Sequence, residues 1–301
     1  MRKIFFPTII FLLVAAAGIW LVPGSSDYPL DRFDALGLIA LGLVVGVYGT
    51  IVGVGGGFLI VPILLLVWQF PPEQAAGTSL VVVFLNATVG SFAYARHKRI
   101  DFRSGLWFAG ATLPGAVAGA FLAEYFSGRV FALTFGTLLL LVAALLIWKP
   151  VRSAPPRAST DADVEGSRRS LTDSAGTTFA WSFSLPLGMT ISFAVGFLSS
   201  ALGIGGGIFH VPAMMYLLSF PAVIATATSQ FILAFSSLVG GATHVSLGNV
   251  LFGPATLMGI GVITGAQAGG ALARRARGAV VVRLLAVALI LVGARLLMRG
   301  L

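Results

Sequence analysis

Two glycine runs, each opening an apolar segment, carry the chemistry of this chain: GVGGGFLIVP from Gly53 to Pro62, and GIGGGIFHVP from Gly203 to Pro212. Residues without a Cβ leave backbone amides approachable. A helix starting there presents unpaired N–H groups and the positive end of its dipole, which bind anions. Gly55, Gly56, Gly57, Gly205, Gly206 and Gly207 are therefore candidate ligand contacts. One short loop after each run stands a Thr-Ser pair, Thr78-Ser79 and Thr228-Ser229, able to donate neutral hydroxyl hydrogen bonds. Asn86 and Gln230 add side-chain amides, and His210, directly after the second run, adds a titratable ring.

Absent residue types narrow the mechanism. No Arg or Lys falls deep in an apolar segment, so an anion would be held by helix ends, hydroxyls and amides instead of a buried cation. The acid nearest the glycine runs is Glu73, in a Pro-Pro loop, which argues against a carboxylate relay. His210 and His244 are the titratable groups left, with His97 in a basic loop. The chain has no cysteine, which excludes disulfides, thiolate metal sites and cysteine nucleophiles. With no paired-carboxylate or metal-ligand cluster, the sequence reads as a non-enzyme without catalytic residues, metal site or cofactor. A dinucleotide fingerprint fails because Phe58 stands where the last glycine belongs.

These residues must be positioned inside a membrane. The chain is 57% hydrophobic and 10% charged, with a mean hydropathy of +0.99. Only Glu73 is charged between Ala35 and Ala95, and nothing is charged between Ser174 and Ala273. Because roughly 20 apolar residues cross a bilayer, turn signals predict eleven segments, near 4–22, 34–53, 57–69, 75–95, 104–124, 130–148, 181–202, 207–219, 223–245, 253–273 and 280–297. The first, followed by a Pro-Gly-Ser-Ser turn, reads as an uncleaved anchor within residues 1–33.

The remainder is a duplication. At a constant offset of 150, Gly46 falls on Gly196, Phe70-Pro71 on Phe220-Pro221, Gly115 on Gly265 and Gly119 on Gly269. Two units, 34–148 and 181–301, are expected to contain five segments each, an odd number that inverts the second copy. With the N-terminus inside, 15 of the 19 basic residues fall on the inner side. The basic loop around Lys98 meets a loop without Lys or Arg, 247–252, in the second copy, as inversion requires. The charge of +9 is thereby a topology signal in a lipid bilayer, and nucleic-acid binding is not expected. Residues 149–180, rich in Ser, Pro, Asp and Arg, read as a flexible cytoplasmic linker. The expected fold is an all-α polytopic integral membrane protein of two inverted repeats, with broken or re-entrant helices at glycine tips.

A run of apolar sequence of only about 12 residues follows each glycine run, too short to cross alone. Glycines also permit close helix packing, the reading given to Gly115, Gly119, Gly265 and Gly269. The doubled glycine-proline motif, the Thr-Ser pairs and the two-unit layout over about 34–298 resemble the sulfite exporter TauE/SafE family. That resemblance implies export of small sulfur-containing anions such as sulfite, sulfoacetate or other organosulfonates from a bacterial cytoplasm across the inner membrane. The residues alone leave a passive anion channel, or a carrier of another small anion, as alternatives.

Overall fold

The computed structural model describes residues 31–148, 167–273 and 278–300. The helices are α1 (Arg32–Val52), α2 (Gly57–Leu66), α3 (Pro72–Arg96), α4 (Phe102–Ala123) and α5 (Gly128–Trp148). After the strands β1 (Ser167–Thr172) and β2 (Thr178–Phe183) come α6 (Leu185–Leu202), α7 (Gly207–Tyr216), α8 (Ala222–Ser246), α9 (Phe252–Ala273) and α10 (Gly278–Gly300). The expected anchor at 4–22 lies outside the described residues. Seven helices, α1, α3 to α6, α8 and α9, are long and apolar enough to span a bilayer. Large apolar side chains such as Phe92, Leu141 and Leu291 stay exposed, a surface suited to lipid. The chain is a polytopic α-helical membrane protein.

The 150-residue offset carries from sequence into backbone. α3 and α8 each have 25 residues, α4 and α9 each 22, and α2 and α7 each 10, with matching starts. Even strained turn residues recur: Gln69 has φ 54° and Ser219 φ 55°.

Helix packing interlocks the two units. Gly42 and Gly46 of α1 lie against the carbonyls of Met258 and Val262, while Gly261, Gly265 and Gly269 of α9 lie against those of Ile39, Leu43 and Val47. Residue numbers rise together, so α1 and α9 run parallel. α4 and α6 repeat this contact through Gly115, Gly119 and Gly196. Between helices in lipid, van der Waals contact replaces the hydrophobic drive, and small residues allow it. The packing reading of Gly115, Gly119, Gly265 and Gly269 is the one observed. α3 and α8 instead run antiparallel: Gly77 abuts Asn249 and His244, whereas Gly90 abuts Gln230. These are corresponding helices of the two units, and inversion requires opposed directions for them.

Each short helix returns alongside its predecessor. Trp68, just past α2, donates from Nε1 to Asp34 Oδ1 near the start of α1 at 3.0 Å. Leu218, just past α7, packs near Gly188 at the start of α6. Both pairs are hairpins with glycines at the far end.

The 149–180 stretch departs from the expected flexible linker. From residue 167 it forms an antiparallel hairpin in which Arg169 pairs with Trp181, and the helix of the second unit begins at Leu185 instead of Trp181. The cause is side-chain alternation in β2: Trp181 and Phe183 are buried and pack with Phe108 and Phe220. The Ser174 amide donates to the His97 carbonyl at 3.0 Å, tying the hairpin to the α3–α4 loop. Asp173 accepts from the amides of Ala175 (2.9 Å) and Thr177 (3.0 Å) and from Arg99 Nη2 (3.1 Å). Burial pushes its carboxyl upward, but the two amides and the guanidinium outweigh this and hold it below the ordinary carboxylate range.

Because the folded-state value is the lowered one, the Asp173 tie is complete above the ordinary Asp range and is lost as pH falls through the lowered value. A variant retaining Trp181 alone should keep its blue-shifted emission to about pH 4 and redden below, and adding Asp173→Asn should redden it at neutral pH. Gly265→Ala puts a Cβ 2.2 Å from the Leu43 carbonyl, whereas Gly110→Ala meets nothing within 4 Å. The first should lower thermal stability in detergent by about 1–3 kcal/mol, with the second unchanged.

Candidate functional site

Each tip is a tight left-handed turn between two helices. In the first, Gly53 (φ 78°) closes α1 by donating to the Gly49 carbonyl, and Gly56 (φ 85°) opens α2 without a side-chain cap. In the second, Gly203 (φ 71°) donates to the Ser199 carbonyl and Gly206 (φ 88°) opens α7. Side chains rarely adopt this backbone region, which is why glycines stand there. The Gly56 carbonyl takes the amides of Leu59 and Ile60, and the Gly206 carbonyl takes those of Phe209 and His210. The amides of Gly57, Phe58, Gly207 and Ile208 have no backbone or side-chain acceptor among the described residues.

The two tips meet. A Cβ on Gly57 would stand 2.7 Å from the Gly203 carbonyl oxygen, and one on Gly207 would stand 2.4 Å from Val54 Cα. Gly55 and Gly205 both abut Val83, halfway along α3, and Gly55 also abuts Leu233, halfway along α8. The meeting point therefore lies midway along the crossing helices, and Val54 and Ile204 at the two turns are fully buried.

The polar residues around the tips separate into three groups, the first two made up of the sequence candidates. Thr78 and Thr228 are occupied: Thr78 Oγ1 accepts from the Leu251 amide at 3.0 Å, and Thr228 Oγ1 accepts from the Asp101 amide at 3.1 Å. Each thereby fastens a helix start belonging to the other unit, α9 or α4. Asn86 is also engaged, accepting from Thr50 Oγ1 (2.7 Å) and donating to the Gly55 carbonyl (2.8 Å). His210 Nε2 shares a hydrogen bond with Ser192 Oγ of α6 at 3.1 Å.

Ser79 and Ser229 form the second group, being fully buried with hydroxyls that have no partner among the described residues. Ser79 lies between Ala76, which abuts Gly203, and Val83, which abuts Gly205. Ser229 lies between Thr226, which abuts Gly53, and Leu233. With Asn86, these positions follow helical i, i+3, i+7 spacing, so one face of α3 and one of α8 line the tips. Gln230 belongs to both groups: its Nε2 donates to the Asn86 carbonyl at 3.3 Å, while its Oε1 is unpartnered.

The third group was missed by sequence reasoning: Ser199 and Ser200, buried and unpartnered one turn before the second tip, and Thr50 in the Asn86 network. The serine pair stands two residues before Gly203 in the sequence, but that it lacks partners is visible only in the fold. Buried orphan hydroxyls also occur away from the tips, at Thr88 and Ser91. Thr243 and Thr256 bond the carbonyl one turn back at 2.9 and 2.7 Å, the ordinary solution for a hydroxyl in an apolar helix. A buried hydroxyl left unpaired costs free energy, so the ones at the tips call for a ligand or water.

Formal charge is absent from this center. Among the described residues the buried carboxylates are Asp101 and Asp173, both in loops at one face, and no group of three or more His, Asp or Glu is placed to hold a metal. The electrostatic field at the tips comes from helix ends and hydroxyl dipoles.

Comparison with known proteins agrees with this architecture. The family model described as "Sulfite exporter TauE/SafE" matches residues 38–296. A probable membrane transporter protein of Bacillus subtilis, YunE, is 35% identical over 270 residues, covering 87% of this chain and 97% of the relative. A probable membrane transporter protein of Sinorhizobium, ORF9, is 30% identical over 263 residues, covering 86% and 91%. One of Methanocaldococcus jannaschii is 30% identical over 210 residues, covering 67% and 69%. No solved structure matches. The family match spans both glycine tips, both helix faces that line them and the interlocked helices around them: the chain belongs to the sulfite exporter TauE/SafE family of membrane transporters.

Proposed function

We propose that the protein carries a small sulfur-containing oxoanion, sulfite, sulfoacetate or a related organosulfonate, out of the cytoplasm by alternating access between the two inverted units. One observation carries this reading: two uncapped helix starts, α2 and α7, converge at a buried place midway along α3 and α8, with unpartnered hydroxyls beside them. Free amides and dipole ends of this kind favor an anion. Without a fixed cation, the anion is held by helix ends, amides and hydroxyls.

Orientation follows from charge. Arg96, Lys98, Arg99 and Arg103 occupy the α3–α4 end, and the hairpin carrying Arg168 and Arg169 is tied to the same end. We assign that face to the cytoplasm of a bacterial-type inner membrane, with the N-terminus on the same side.

The lack of a buried carboxylate near the tips favors a second reading, a passive anion channel, because no acid is present there to couple transport to a proton or sodium gradient. Purified protein in proteoliposomes separates the two: a carrier shows saturable sulfite counterflow and no unitary conductance in planar bilayers. Gly206→Leu, which forces a side chain onto a φ of 88°, should reduce sulfite flux at least tenfold while the protein still incorporates. Undiminished flux would remove the tip from the transport path.

A further inference from the structure

The two tips are not chemically equivalent. At the first, Thr50, Asn86 and the Gly55 carbonyl form a closed chain of hydrogen bonds, and the Tyr94 hydroxyl donates to the Thr50 carbonyl at 2.8 Å. Gly49 makes space for it: a Cβ there would lie 2.5 Å from Asn86 Nδ2. The counterparts of Gly49, Thr50, Asn86 and Tyr94 in the second unit are Ser199, Ser200, Ser236 and His244. His244 reproduces the Tyr94 bond, its Nε2 donating to the Ser200 carbonyl at 3.0 Å. Nothing reproduces Asn86. Serine at 236 is too short to bridge Ser200 to the Gly205 carbonyl, and the Ser199 and Ser200 hydroxyls are left without partners while 0% and 1% exposed.

Ser199 borders the tip, while the Ser200 hydroxyl lies against α8, 2.7 Å from where a Cβ of Gly240 would stand. Ser199 Oγ lies 3.3 Å from where a Cβ of Gly206 would stand, and Ser79 occupies the α3 face between the contacts to Gly203 and Gly205. The second tip thus has Ser199 and Ser79, with Ser200 next in sequence, as unpartnered buried hydroxyls near the free amides of Gly207 and Ile208, whereas near the first they are Ser229 and the Tyr48 hydroxyl, whose ring packs on Phe58. Amides that only donate, with hydroxyls beside them that are free to donate, match a ligand that presents several acceptor oxygens and a negative charge.

Building on the anion reading above, we infer that the substrate oxoanion is held at the second tip by Ser199, Ser200 and Ser79, and that the Asn86 network makes the first tip a fixed part of the scaffold. Ser199 and Ser200 are then specificity-determining donors, and the inverted units divide their labor.

Sulfite binding by the purified full chain, measured by titration calorimetry alongside thermal unfolding, tests the assignment. Ser199→Ala and Ser200→Ala should each weaken sulfite binding roughly tenfold, the effect of losing one hydrogen bond to a charged group. Their melting temperature should hold or rise, because each removes an unsatisfied hydroxyl. Ser200→Thr, which installs the residue of the first unit, should keep affinity within about twofold by retaining the donor. Thr50→Val should lower the melting temperature and leave affinity within about twofold, since it breaks only the scaffold network. If the serine variants bind like the original chain, or Thr50→Val weakens binding as much as they do, the inequality of the tips is overturned while the anion reading survives. If the unmodified chain binds neither sulfite, sulfoacetate nor sulfate, the anion reading falls and this assignment with it.

Discussion

Direct backbone contact between two helix turns, Gly57 against the Gly203 carbonyl and Gly207 against Val54, is the constraint from which the rest of the molecule follows. Irregular backbone in the interior of a membrane protein is tolerated only where protein or water surrounds it. Here each turn is the other's surroundings. Such an approach leaves no room for a Cβ on either side, so the motif has to be glycine, and it has to occur twice. Because the turns come from opposed hairpins, the helices carrying them must also face each other, and α3 and α8 supply the walls. Their stripes of Ala, Ser, Thr, Val and Asn at helical spacing keep that interface narrow.

The same demand explains why the units exchange partners. A hairpin that stops partway leaves one long helix, α1 or α6, to be packed along its length, and the matching surface is the fourth helix of the other unit. Glycines on both partners bring the axes close enough for carbonyl contacts. The 34–148 and 181–301 boundaries are thus boundaries of sequence and not of packing: α1 is no better packed against its own unit than against α9. Thr78 and Thr228 extend the exchange to hydrogen bonds, each securing a helix start that belongs to the opposite unit.

Much of this was legible in the residues because the signals are periodic or doubled. Charge-poor runs marked the spans, and the offset marked the repeat. The paired glycine runs marked the turns, which require φ near +80°. Long-range partnership was not legible. Thr78 and Thr228 looked like free donors, since nothing local announces that an amide 173 or 127 positions away will use them. Ser199 and Ser200 passed unnoticed because a hydroxyl in a membrane helix ordinarily bonds its own backbone, and the departure is visible only once the carbonyls are placed. The hairpin at 167–183 was hidden by its polar turn and its position after a low-complexity stretch. Its six-residue strands carry a short apolar signal, Leu171 in β1 and the alternating Phe179, Trp181 and Phe183 in β2.

That hairpin adds a layer at one end of the helix bundle. At the α3–α4 end, Arg99, Asp173 and the Ser174 amide lash this extra layer onto the helix bundle. In a carrier that alternates between faces, such a layer adds to the free energy of whichever state must loosen it. Under the alternating access proposed above, the two end states would then be unequally populated at rest, which would lower apparent affinity on the less populated side in proportion to its share. No net pumping results, since an equilibrium bias cannot drive flux. The ion pair is also partly reachable by solvent, so ionic strength would act on that resting balance without touching the proposed site at the tips.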